Sequence, residues 1–379
     1  MDHLTLEISD SSHHDNPFLY KIFTNDLLYS LIYDASSAKS LVCLLRTCQA
    51  VRATVQEYIQ RVFRIDPLLS RYFTDVLAFR YLQACTGTVI SGSTALQFFD
   101  RSFYPGSDLD LYVPMTGRVR VGRFLLKEGY KFVPNPIQKS TPNFDDAIMG
   151  RRVLTNKAFY GDFKGIASVF NFEKQPDHGK RLRVQIIVAV RSPMEVILCF
   201  HSTCVMNVIT YNKAYCLYPR ATLEERLSLT CTNRQGDRIE SVYDRYRKRG
   251  WMIIESLNKM VSTTSDPAFG DIIRRIDDGF TWSIDLTFKP KEPVTPINII
   301  TEALSSDPIS ITTWALDVLD VDTQKAYMRF RHLSHPQLFY SYIMQHDDIL
   351  QLPLVNRLFD RARDADTEMS ELLPPGNPV

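Results

Sequence analysis

No stretch of this 379-residue chain approaches the roughly 18 apolar residues in a row that a membrane-spanning helix needs, so no membrane partner is expected. An excess of either charge is also missing. The 44 Lys and Arg stand against 43 Asp and Glu, a formal net charge of +1. That balance argues against a dominant nucleic-acid or acidic-partner surface and leaves room for a local basic patch. The seven cysteines (Cys43, Cys48, Cys85, Cys199, Cys204, Cys216 and Cys231) are odd in number and scattered. There is no Cys-x-x-Cys pair, which argues against a zinc site. Buried, reduced thiols in an intracellular protein, cytoplasmic or nuclear, fit this pattern better. Residues 1–17 lack a basic region followed by an apolar core, so they read as a disordered tail rather than a secretory signal. The chain also has no Gly-x-Ser-x-Gly elbow, no internal repeat and no low-complexity block.

The composition that remains, 45% hydrophobic and 23% charged, is that of a globular chain with a substantial core. The length suffices for two or three domains. The pattern is helical from residue 18 to about 80. Ile22, Leu27, Leu28, Leu31 and Ile32 form one apolar stripe, with Asn25 or Asp26 as N-cap. Leu27, Leu31, Leu44 and Val55 are expected to be mostly buried. Residues 81–260 mix strand and helix signals. Residues 261–360 read as a mainly helical extension, with helices over 299–320 and 335–359 and a strand over 280–288. Residues 361–379 read as a flexible tail.

The most informative stretch lies in the middle block. Thr88-Val89-Ile90-Ser91 is β-prone. Gly92-Ser93 is a tight turn, and Thr94 to Phe99 has helical apolar spacing. Ser107-Asp108-Leu109-Asp110-Leu111-Tyr112-Val113 then reads as a strand carrying two acids. Residues i and i+2 of a strand share a face, which sets Asp108 and Asp110 side by side. Two carboxylates suit Mg²⁺, which takes hard oxygen ligands and completes its shell with substrate phosphates. Glycine at the turn lets a phosphate approach the backbone, and Ser93 adds a hydroxyl where orphan N–H groups favour an anion.

This constellation resembles the nucleotidyltransferase superfamily of the polymerase-beta type. The matching pattern is an apolar strand, Gly92-Ser93, a helix, then Asp108-x-Asp110. The resemblance implies an α/β (α+β) mixed-sheet core that binds a nucleoside triphosphate through Gly92 and Ser93. It implies Mg²⁺ on Asp108 and Asp110, the catalytic pair, and transfer of a nucleoside monophosphate to an acceptor the sequence does not identify. The superfamily usually carries a third carboxylate on a later strand. The strand over residues 181–190, second arm of a hairpin turned at Pro176-Asp177-His178-Gly179, holds Gln185 at that position. Glutamine supplies neither charge nor a general base, so nucleotide binding without efficient transfer is the expectation. Asp162 and Glu173 are the nearby acids, with no spacing argument for either. The rival class is a catalytically degenerate interaction protein.

The opening helices resemble an F-box. The likeness rests on Phe23-Thr24-Asn25-Asp26-Leu27-Leu28-Tyr29-Ser30-Leu31-Ile32 and on Leu41-Val42-Cys43-Leu44-Leu45-Arg46-Thr47-Cys48, with Thr24 where the motif usually has proline. An F-box implies docking on the Skp-type adaptor of a cullin–RING ubiquitin ligase. The order of segments over about 18–255 is similar to that of a fungal family joining such a segment to a nucleotidyltransferase-like domain, which carries no known substrate.

Three further features have bland readings. Arg151 and Arg152 fit a phosphate contact or a solvated loop. His201-Ser202 lacks the hydrolase context and reads as structural. The region 239–258 interleaves Tyr243, Arg245, Tyr246, Arg247 and Trp251. That pattern fits nucleic-acid stacking, or a solvated face with its aromatics buried, which is the preferred reading.

Overall fold

The computed structural model describes residues 21–23, 25–136, 138, 143–149, 165–177, 179–232, 236–256, 268–269, 273–286, 307–318, 326–333 and 340–344. Thr24, Arg151, Arg152, Asp162 and both expected tails lie outside them. By its internal contacts the chain divides into two compact units, 1–62 and 63–379. The expected boundary near residue 80 therefore moves to residue 62. Helices between 63 and 86 belong with the second unit, where Phe73 stacks on Phe79 at 4.2 Å and meets Phe124 at 5.5 Å.

The first unit is built from α1 (Asp26–Asp34), α2 (Ala38–Leu44) and α3 (Gln49–Val62). Asn25 caps α1 by accepting from the amides of Leu27 and Leu28 at 3.1 and 3.2 Å, the N-cap role its short polar side chain favours. The expected inward stripe is reversed. Tyr29 and Tyr33 face the core with Leu41, Val51, Val55 and Tyr58. Leu27 and Leu31 are 72% and 68% exposed, and Leu28 and Ile32 are also exposed. Leu44 is only partly buried, while Val55 is fully buried. Both faces of α1 carry apolar residues at helical spacing, so periodicity does not choose between them. The tyrosines win by size and by hydrogen bonding. The Tyr33 and Tyr58 rings meet edge-on at 5.3 Å. The Tyr33 hydroxyl pairs with Thr54 at 2.7 Å, and the Tyr58 hydroxyl donates to Asp34 at 2.7 Å.

The second unit opens with α4 (Asp66–Leu69) and α5 (Val76–Thr86). Its core continues through β1 (Val89–Ser91), α6 (Gly92–Asp100), β2 (Leu109–Pro114), α7 (Arg118–Lys127), β3 (Lys131–Val133), α8 (Phe144–Met149), β4 (Ile166–Lys174), β5 (Leu182–Ala189), α9 (Pro193–Leu198), β6 (Asn207–Ile209) and β7 (Lys213–Cys216). Then come β8 (Leu227–Leu229), α10 (Asp237–Arg247), β9 (Met252–Ile254), β10 (Ile273–Arg275), β11 (Trp282–Asp285), β12 (Thr313–Val318), β13 (Ala326–Arg329), β14 (Arg331–Leu333) and β15 (Tyr342–Met344). The fold is mixed α/β, an α+β architecture. Its eight-stranded sheet runs β11-β7-β6-β1-β2-β5-β4-β3. β2 and β5 are parallel, and the other described neighbours in it are antiparallel.

The expected helices over 299–320 and 335–359 are corrected. Their described residues hold turns and strands β12 and β15 and no helix. Trp314, Leu316 and Val318 repeat at two, as do Tyr340, Tyr342 and Met344, and β-branched and aromatic residues suit a pleated surface. Trp314 is fully buried, in a cluster with Val89, Ile187, Met194 and Leu217. A second device sits beside it. The fully buried Arg274 guanidinium donates to Asp278 at 2.7 and 3.1 Å and to the Phe269 and Leu217 carbonyls at 2.8 and 2.9 Å. Burial raises the Asp278 carboxyl, but the arginine hydrogen bonds and charge outweigh it and hold the group below its ordinary value.

Candidate functional site

The site starts from one residue with no side chain. Gly92 opens α6 directly after β1 with φ +68°, a left-handed conformation that other residues resist. A Cβ built there would lie 2.9 Å from Asp110 Oδ2. Glycine is thus required twice, by the backbone and by the carboxylate occupying that space. Ser93 follows half-buried, and its carbonyl accepts from Gln97 Nε2 at 3.1 Å. Thr94 Oγ1 donates to the Asp108 carbonyl at 2.9 Å, tying α6 to the start of β2.

Asp110 lies on β2, while Asp108 sits one residue before its first hydrogen-bonded position. Both are half-buried. Leu109, Leu111 and Val113 are fully buried, as alternation requires. In register, Asp110 stands between Ser91 of β1 and Gln185 of β5, and Gln185 faces Asn171 of β4. Residues level with one another across a sheet share a face. The position level with Asp110 on β5 therefore carries an amide. Asn171 continues the row with another amide, its Oδ1 buried and without a hydrogen-bond partner. Glu173 is paired with Arg183 across the strands and with Lys131 on its other side. Its carboxylate is taken by Arg181 at 3.0 Å and Arg183 at 3.3 Å. Glu173 is thus engaged by two guanidinium groups and stands level with Arg183, not with Asp110 and Gln185.

The charges explain the electrostatics. Burial, and then the neighbouring Asp108 charge, push the Asp110 carboxyl from 3.8 up to about 7. Burial also raises Asp108, with Glu173 acting in the same sense and Arg183 and Arg245 against it. Tyr112, two residues along the same face, is driven far up by burial, Asp110 and Tyr246. Tyr72 is raised by burial, Asp108 and Asp110, and its hydroxyl donates to the Ser107 carbonyl at 3.2 Å. In the sequence, Arg183, Tyr112 and Tyr72 carry no functional reading, and Arg245 enters only within the basic and aromatic segment 239–258. Two carried a usable signal: Tyr112 is i+2 from Asp110 and Arg183 is i−2 from Gln185.

Other candidates take structural places. Tyr243, Tyr246 and Trp251 are buried, the bland reading of that segment. The His201 ring packs 5.7 Å from both Tyr243 and Tyr246. Ser202 Oγ contacts His201 Nδ1 at 2.7 Å but is fully buried, which shuts a substrate out. Among the described residues no group of three His, Cys, Asp or Glu side chains is placed to hold a metal. The two aspartates nevertheless fit Mg²⁺ bound together with a polyphosphate, which needs only one or two carboxylates from the protein. No helix among the described residues is long and apolar enough to cross a membrane. No protein-family model matches the chain, and no curated protein or solved structure does either.

Proposed function

We propose that the second unit is a nucleotidyltransferase-like domain that binds a nucleoside triphosphate with Mg²⁺ and transfers nucleotide weakly or not at all. The observation that carries this reading is the seating of the Asp110 carboxylate over Gly92, level with an amide at Gln185. Asp108 and Asp110 hold the cation, which neutralises the phosphates when bound. Gly92 and Ser93 offer backbone and hydroxyl to the phosphates, with Arg183 and Arg245 as nearby counter-charges. Deprotonating an acceptor hydroxyl is a separate demand. General-base help is worth about 10²–10⁴-fold in rate, and the neutral amide of Gln185 does not supply it. Titration calorimetry with ATP, GTP, CTP and UTP, each with and without Mg²⁺, tests the reading. Saturable binding that needs Mg²⁺ and is lost in Asp108→Ala is expected, as is a gain of transfer in Gln185→Glu. Absence of binding to every triphosphate at millimolar Mg²⁺ would favour the scaffold class.

A second reading concerns the first unit and rests on the exposed face of α1. Leu27, Leu28, Leu31 and Ile32 leave an apolar strip in water, the kind of surface that marks a protein contact. With the F-box resemblance, this strip favours docking on a Skp-type adaptor. Affinity capture from a cell extract tests it. Loss of adaptor and cullin in Leu27→Lys/Leu31→Lys would support it. Their absence from the wild-type capture, where a known F-box protein retains them, would sink it.

A further inference from the structure

The described residues line a cavity of about 470 Å³ at the end of the sheet away from the carboxylates. Pro114 borders it, four residues along β2 from Asp110, or about 13 Å at the usual strand rise. Its walls are the end of α5, the link from β5 to α9, and residues of the C-terminal strands. It therefore lies inside the second unit, between the core sheet and the layer that covers it, a common place for ligand sites.

Three side chains make this more than a packing gap. Glu195 is 5% exposed and accepts from Arg191, with Oε1 2.7 Å from Nη2 and Oε2 3.4 Å from Nε. His332 Nε2 lies 3.4 Å from the same Oε1. Gly165 presses against this group, since a Cβ there would sit 2.7 Å from Glu195 Cγ. The carboxylate is thus seated on backbone, holds Arg191 and stands beside His332, and both of these line the cavity. Glu195 uses Nε and Nη2 of Arg191 and leaves the Nη1 donors for another acceptor. His332 Nδ1 and Nε2 are both buried and without a hydrogen-bond partner. Whichever of the two carries the proton in the neutral imidazole, the other is an open acceptor. A buried polar atom left open is costly unless something meets it.

We propose that this cavity binds a small organic acid: one carboxylate and one hydroxyl on a compact apolar body. The carboxylate meets Arg191 Nη1, the hydroxyl donates to the unprotonated ring nitrogen of His332, and Pro114, Met115 and Val190, which line the cavity and keep exposed surface, take the body. Arg191 is the one Lys or Arg among the described lining residues and Glu195 already balances its charge, so the site offers the Nη1 donors to a single carboxylate and has nothing to neutralise the several charges of a triphosphate. The ligand is therefore of a different class from the one proposed at Asp108 and Asp110, and the two readings fail independently.

The probe is 3-hydroxybenzoate, titrated into the full chain by calorimetry. Benzoate lacks the hydroxyl, 3-hydroxybenzyl alcohol lacks the charge, and inorganic phosphate lacks the body. One saturable site for 3-hydroxybenzoate is expected, with each analogue at least about tenfold weaker, or about 1.4 kcal/mol. Arg191→Gln/Glu195→Gln removes both charges together, leaves no lone buried ion, and should weaken binding at least as much. Thr116→Trp, at an exposed residue of the cavity wall, should block entry without disturbing the core, and keeps the test open if the double variant does not fold. Asp108→Asn should leave this binding unchanged. No saturable binding by wild type, or equal binding by Thr116→Trp, would overturn the assignment. So would phosphate binding as tightly as the acid, which would mean an adventitious anion site only.

Discussion

Replacing Asp110 by asparagine should stabilise the metal-free protein, and the gain should grow with pH. The folded chain holds the Asp110 proton up to about pH 7, against an ordinary carboxylate at 3.8. Between those values the unfolded chain has released a proton that the folded chain keeps. Stability then falls by about 1.36 kcal/mol per pH unit. Over about three units the loss approaches 4 kcal/mol. Asp110 retains some contact with solvent, so about 2–3 kcal/mol is the realistic size. The asparagine side chain keeps the shape and has no charge to bury. Urea unfolding of both proteins in chelator, from pH 4 to pH 8, reads the difference. Near pH 4 the two should coincide, and from pH 7 upward Asp110→Asn should be the more stable. Adding Mg²⁺ with a triphosphate at pH 8 should reverse the order, because only the wild type has both ligands. Equal stability across the range, or a destabilised variant at pH 8 in chelator, would refute the claim that this carboxylate is held against its own desolvation.

Gly92→Ala should cost about 1–3 kcal/mol through its left-handed backbone and its clash with the Asp110 carboxylate, and should abolish Mg²⁺-dependent nucleotide binding; thermal melts and calorimetry check the two effects. Arg274→Met should cost about 3–5 kcal/mol, because Asp278 loses the partner that keeps it ionised; denaturant unfolding measures this, and a near-neutral result would mean that Asp278 reaches water. Leu27→Lys/Leu31→Lys should change stability by no more than about 0.5 kcal/mol per site, as expected for exposed positions. By contrast, Tyr33→Ala should cost about 3–5 kcal/mol. Far-UV circular dichroism melts of the two variants separate a surface strip from a core.

Local chemistry alone determined much of this protein. The β-prone run ending at Ser91, the Gly92 turn, the spacing of Asp108 and Asp110, and the hairpin ahead of Gln185 all depend on neighbours within a few residues. Turn chemistry and periodicity act over that range. So does the end of α7 at Gly129, whose φ of +86° only glycine takes without strain. Tertiary structure decided the rest. α1 offers two apolar faces, and only packing on α2 and α3 turned Tyr29 and Tyr33 inward and left Leu27 and Leu31 in water. The C-terminal strands took their form from burial of Trp314 and Tyr342 against distant parts of the chain, because short apolar runs suit helix and strand alike. Asp110 and Gln185 are far apart in sequence, and only the parallel pairing of β2 with β5 set them level. The proton affinity of Asp110 is likewise a tertiary property. A carboxylate's pKa is set by the water it loses and the charges brought near it, and neither exists until the sheet has formed.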